Sequence, residues 1–195
     1  MTRLTLFAGA LLAMSGIAQA QGYFSFGDIP GVDAKPSVQI DLNSAMLGFI
    51  SAAAMATDPE AAKALEGVSN VRVYVYENLG KDFADVTKFV DDATTKLESD
   101  GWHPAVRVNE GTEQVRIYMK PENGAAGSRL SGITIMVTDG SGKKGADESV
   151  FINIAGQIEA AALGKLAGAL GMGDALKPLG SLGAALTTEL GEAEP

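Results

Sequence analysis

Residues Asn70 to Glu77 alternate cleanly: Val71, Val73 and Val75 take one side, and Arg72, Tyr74 and Tyr76 take the other. A two-residue period belongs to a strand with one buried face, because successive side chains leave a strand on opposite sides. A helix would scatter the same valines around its circumference. The pattern returns in Glu113 to Lys120, where Val115, Ile117 and Met119 alternate with Gln114, Arg116, Tyr118 and Lys120. Two such segments commit the chain to a sheet with a buried valine and isoleucine face. Every other segment is placed relative to that sheet.

Ser37 to Leu42 supplies another short strand, with Val38, Ile40 and Leu42 on one side. Asn43 or Ser44 can cap the run that follows. There Met46, Leu47, Phe49, Ile50, Ala53 and Ala54 are apolar almost all round, which predicts a helix buried on most sides. Asp58 as N-cap and Pro59 in the first turn restart a helix that Gly67 ends. From Asp82 to Glu98 the residues Phe83, Val86, Val90, Ala93 and Leu97 recur at spacings of three and four, an amphipathic helix stopped by Gly101. Ala105 to Asn109 and Glu113 to Lys120 form a hairpin around Glu110-Gly111. Leu130 to Thr138 and Val150 to Ile154 form a second hairpin with a long polar tip, and a last helix is expected from Glu159 to about Leu170.

The order strand, helices, strand, helix, four strands, helix predicts a single α+β domain over residues 37–163. Its sheet is mostly antiparallel, with about five to six strands and with helices packed on one face. Residues 21–36 hold Gly22, Gly27, Pro30, Gly31 and Pro36 among Tyr23, Phe24 and Phe26, an irregular N-terminal arm whose aromatics seek a docking place. Residues 164–195 mix Gly164, Gly168, Gly171, Gly173, Gly180 and Gly183 with alanine and leucine. Each interior glycine costs a helix about 1 kcal/mol against alanine, so this tail is weakly helical or disordered by itself. Its leucines suit protein contact better than a membrane surface, since Lys165 and Lys177 are the only cations in it.

Arg3, the apolar run Leu4 to Met14 and Ala18-Gln19-Ala20 read as a signal peptide over residues 1–20, cut after Ala20. The run falls short of the roughly 18 to 20 residues that span a bilayer, so no transmembrane anchor is expected after cleavage. The chain contains no cysteine. It therefore has no thiol for a lipid anchor, a disulfide or a cysteine metal site, and an ordinary apolar core must hold the exported fold. A formal charge of −9 speaks against a polyanion-binding surface. Periplasmic or secreted, soluble localisation follows from these features.

Leu65-Glu66-Gly67-Val68 leading into Val71-Arg72-Val73-Tyr74-Val75-Tyr76 resembles an exported bacterial family known as a domain of unknown function, number four-two-five-two. The similarity continues through Leu97, Gly101-Trp102, Arg107-Val108, Val115 to Tyr118, Ile133 to Val137 and Phe151 to Ile158. It covers roughly residues 40 to 165. It implies an exported or lipoprotein-type protein, some relatives being encoded near extracytoplasmic sigma-factor systems; this chain departs from the lipoprotein members in lacking the cysteine. The matching residues are core patterns and carry no reaction chemistry.

Signatures of catalysis are sparse. His103, the single histidine, lies between Trp102 and Pro104 with no G-x-S-x-G turn in the chain. One histidine and no cysteine make a zinc site improbable. Asp139 to Glu148 has carboxylates at both ends, but Lys143 and Lys144 stand where calcium ligands would be needed. Asp91 and Asp92 point about 100° apart on a helix and belong to a solvated face. Neither metal nor cofactor is expected.

If the valines face the helices, the other sheet face displays Arg72, Tyr74, Tyr76, Arg107, Arg116, Tyr118 and Lys120. Tyrosine and arginine are enriched where proteins bind partners, because they join apolar area to directional donors. Export and net acidity make nucleic acid a poor ligand. Two readings follow: a noncatalytic binding or assembly module of the bacterial envelope, using this face or the tail on a protein, an envelope component or a second copy; or a hydrolase of unfamiliar design with His103 as base. An arm, tail or second copy covering the face is the structural alternative to a binding role.

Overall fold

A computed structural model describes residues 22–122, 129–140 and 147–159, together with Ala162 and Lys165. The described elements run β1 (Val38–Asn43), α1 (Ser44–Ala54), α2 (Pro59–Leu65), β2 (Val68–Glu77), α3 (Phe83–Ser99), β3 (His103–Glu110), β4 (Glu113–Pro121), β5 (Arg129–Asp139) and β6 (Glu148–Glu159). All six strands join one antiparallel sheet in the order β1-β2-β6-β5-β4-β3. β3 to β6 form a meander, and β2 returns to pair with β6.

The register carries out what the alternation dictates. Ile40 stands opposite Val73, Val73 opposite Ile152, Ile152 opposite Ile135 and Ile135 opposite Ile117, a continuous apolar row across five strands. One step along β2, Tyr74 faces Phe151, which faces Met136, which faces Arg116 on the other side of the sheet. Both expected hairpins form. β6 keeps pairing with β5 through Glu159, so the expected helix start at Glu159 gives way to strand; the rest of that helix, except Ala162 and Lys165, lies outside the described residues.

The helices divide between the two faces, a correction to their expected placement on one. α1 and α2 connect β1 to β2 over the valine face, where Leu47 and Leu65 join a buried cluster with Val71, Ile117, Ile135 and Ile154. Asn43 caps α1 by accepting from the Met46 amide at 3.1 Å, and Asp58 caps α2 by accepting from the Ala61 amide at 2.9 Å. α3 must carry the chain from β2 to β3 at the far edge, and it crosses the opposite face. Val86, Val90, Ala93 and Leu97 are its buried stripe. They pack with Tyr118, Met136, Phe151, Trp102 and the arm residues Phe24, Phe26 and Ile29. The N-terminal arm is thus part of the core layer beside α3.

α1 also departs from expectation. Only Leu47 of its residues is buried, while Met46, Phe49, Ile50 and Met55 just beyond its end are exposed. The reason is position: α1 rides over β1, an edge strand, and no described element packs on its outer side.

Candidate functional site

The seven residues expected on one open face fall into two groups. Arg72, Tyr74 and Tyr76 are on β2; Arg107, Arg116, Tyr118 and Lys120 are on β3 and β4. β6 and β5 lie between, so at about 4.8 Å per strand the groups stand roughly 14 Å apart. Phe151 and Met136, both fully buried, fill the space between them.

Each group is engaged within the chain. The Arg72 guanidinium lies over the Tyr23 ring at 4.6 Å, donates to the Tyr23 hydroxyl and pairs with Asp41 of β1 at 3.1 Å. The Tyr76 ring is buried edge-on against Phe151 at 6.0 Å. Burial, with help from Tyr74 and Asp28, raises its pKa above the usual 10.0. Tyr118 is fully buried; its hydroxyl donates to Glu98 of α3 at 2.9 Å and accepts from Arg107 at 2.8 Å. Arg107 also pairs with Glu98. Its hydrogen bond to Tyr118 is the main reason its pKa is raised. Arg116 donates to the Asn109 side chain at 2.9 Å and to the Val108 carbonyl at 3.1 Å. Lys120 stands over the Trp102 ring at 5.8 Å. The expectation of an open arginine and tyrosine face is therefore corrected in part: α3 and the arm bury Tyr76 and Tyr118, whose large rings gain from leaving water, while Arg72, Tyr74 and Arg116 are half-buried and Arg107 stays exposed.

A residue the sequence did not single out organises that cover. Asn153 of β6 is fully buried on the α3 side. Its Oδ1 accepts from the Phe24 amide at 3.1 Å. Its Nδ2 donates to the Gly22 carbonyl at 3.2 Å, the Ile133 carbonyl at 3.2 Å and Thr134 Oγ1 at 3.0 Å. One side chain thus supplies the arm with the hydrogen bonds that its strandless backbone lacks. The signal was a lone amide in the apolar run Phe151 to Ala155, visible but ambiguous. Gly22 completes the anchor: its φ is +94° and a Cβ there would come within 1.6 Å of the Ser131 carbonyl oxygen.

His103 is exposed at the first residue of β3, opposite Met119. No side-chain hydrogen bond ties it to a nucleophile or an acid among the described residues. A cleft of about 490 Å³ lies elsewhere, lined by Glu60, Lys63, Glu66, Arg129, Glu159 and Lys165 among others. Its charges balance, and the Lys165 to Glu60 ion pair at 2.8 Å binds two of them to each other. Among the described residues, no three metal-ligating side chains cluster and no helix is long and apolar enough to cross a membrane.

What the surface does offer is apolar. Among the described residues, the large apolar side chains left exposed are Val38, Ile40, Met46, Phe49, Ile50 and Met55, all on β1 or α1 and its end. Phe49 is 80% exposed. Val38 and Ile40 point to the valine face, the same side on which α1 lies. Concentrated in one edge of a domain, this grouping differs from the single exposed apolar residues that any surface carries.

Fold and surface together define a six-stranded α+β domain, helix-covered on both faces, with one apolar edge. A family model described as Domain of unknown function (DUF4252) matches residues 33–166, and the chain belongs to that family. No curated protein and no solved structure matches it.

Proposed function

We propose that the protein is a noncatalytic binding or assembly module exported to the bacterial envelope, and that it engages its partner through the β1 and α1 edge. The grouping of all the exposed large apolar side chains of the described residues on that edge carries the reading. Among the described residues no strand pairs with the outer side of β1, and beside it Ile40 and Phe49 offer apolar contact. An extended protein segment with alternating apolar side chains fits this arrangement, adding a strand to the sheet while its side chains pack along α1. The signal-like residues 1–20 support delivery outside the cytoplasm.

A photoreactive phenylalanine at position 49 tests the reading, with the same group at Lys88 on the solvent side of α3 as control. In the native envelope, position 49 is expected to give a discrete protein adduct that Ile40→Asp abolishes. Equal adducts at both positions, or an adduct indifferent to Ile40→Asp, would remove the β1 and α1 edge from consideration.

A further inference from the structure

The two edges of the sheet are built differently. β3, the outer strand at one end, carries features that keep a strand from pairing further. Pro104 has no backbone N–H to donate, the pairing slips between Pro104 and Val106, and Arg107 is charged and exposed. β1, at the other end, has none of these. Its register with β2 is unbroken from Val38 to Asn43, it contains neither proline nor lysine, and Val38 and Ile40 are 43% and 39% exposed. A regular edge strand with exposed apolar side chains recruits another strand.

The residues of β1 decide which strand that is. Val38, Ile40 and Leu42 belong to the valine face, and Gln39 and Asp41 to the other. A second β1 laid antiparallel about Ile40 sets Ile40 opposite Ile40, Val38 opposite Leu42 and Gln39 opposite Asp41. Each apolar side chain then meets an apolar one, and each carboxylate meets an amide. A slip of one residue turns apolar side chains against polar ones. A slip of two sets Asp41 opposite Asp41, or leaves Leu42 opposite Pro36, outside the strand. We infer that the occupant of the β1 and α1 edge is a second copy of this chain, joined through antiparallel β1 strands about a two-fold axis at Ile40. The inference rests on that edge being the contact surface proposed above, and names its partner. The apolar row Ile117, Ile135, Ile152, Val73 and Ile40 then runs on through the axis into the same row of the second copy. Met46, Phe49 and Ile50 of α1, exposed beside β1, add apolar contact at the junction. The blunted β3 edge offers no substitute for β1, so the pairing closes at two copies instead of propagating.

The chain lacks cysteine, so a single introduced cysteine reports on the junction. Opposed Cα atoms of an antiparallel pair stand about 4.5 to 5.5 Å apart, within disulfide range. In the purified full chain, Ile40→Cys is expected to give a disulfide-linked pair under mild oxidation, whereas Ala105→Cys on β3 is not. Light scattering of the unsubstituted protein is expected to give twice the mass of one chain. Gln39→Glu sets a second carboxylate opposite Asp41 without touching the core; it is expected to weaken the pair about tenfold, and adding Asp41→Asn to restore it. A single-chain mass at every concentration, with a position-49 adduct to a different protein, would overturn the second copy and keep the edge. The same mass without that adduct would overturn both. A double mass indifferent to Gln39→Glu, or equal disulfide yields from Ile40→Cys and Ala105→Cys, would put the junction on another surface and overturn the inference.

Discussion

Asn153 shows how one residue fixes the position of a whole segment. Its amide satisfies the Phe24 amide and the Gly22 carbonyl in a place that water does not reach. Asn153→Leu leaves both groups unpaired; at roughly 1 to 3 kcal/mol for each orphaned group, a loss of about 2 to 6 kcal/mol in urea unfolding is expected. Trp102, the single tryptophan, is 3% exposed and meets Phe24 edge-on at 6.5 Å. Its emission should therefore move to the red in the same variant as the arm detaches. A loss below about 1 kcal/mol with unchanged emission would mean that the arm is held by its aromatics alone. In the sequence Asn153 was one polar letter among isoleucines, and the residues it serves lie more than a hundred positions away. Arg72, Tyr76, Arg107 and Tyr118 were legible as a set with a shared side of the sheet. Their partners Tyr23, Asp41 and Glu98 were not, because a side-chain period gives a direction and says nothing of what arrives there.

Among the elements, α3 and α1 make opposite cases. The three-and-four spacing of Val86, Val90, Ala93 and Leu97 identified both the helix and its buried stripe. α1 has apolar residues on nearly every side, and such a pattern reads as burial until the neighbours are known. Only Leu47 found a layer to enter. Leu47→Ala is accordingly expected to cost about 2 to 5 kcal/mol, as for a well-packed leucine. Phe49→Ala, at a surface position, is expected to stay within about 0.5 kcal/mol while weakening partner contact. Thermal unfolding of the two variants side by side checks this, and equal losses would show that α1 is covered on both sides. The capped starts of α1 and α2 were readable from Asn43, Asp58 and Pro59, since capping is a contact between near neighbours.

For the molecule as a whole, the two-sided core gives stability a dependence on alkaline pH. Tyr76 is buried between the sheet and the arm, and burial raises its pKa above 10.0. The folded protein keeps this proton after the unfolded chain has released it. The contribution is therefore complete below about pH 10 and is lost as pH rises through the folded value. Tyr76→Phe should flatten this loss between pH 9 and 11 in denaturant titrations. An unchanged slope would assign the alkaline sensitivity to other groups.

Strand alternation, helix spacing and local caps were sufficient for the α+β class, the two hairpins, the amphipathic α3 and the valine and isoleucine face, because all of these are relations between residues close in sequence. The family match over residues 33–166 spans those elements. The connection from β2 to β3 then took α3 across the face that the tyrosines occupy, and Asn153 drew the arm in beside it. Which surface remains free is a question of what packs against what over distances of a hundred residues, and only the tertiary structure decided it: Tyr76 and Tyr118 went into the core, and among the described residues the apolar edge of β1 and α1 was left outside.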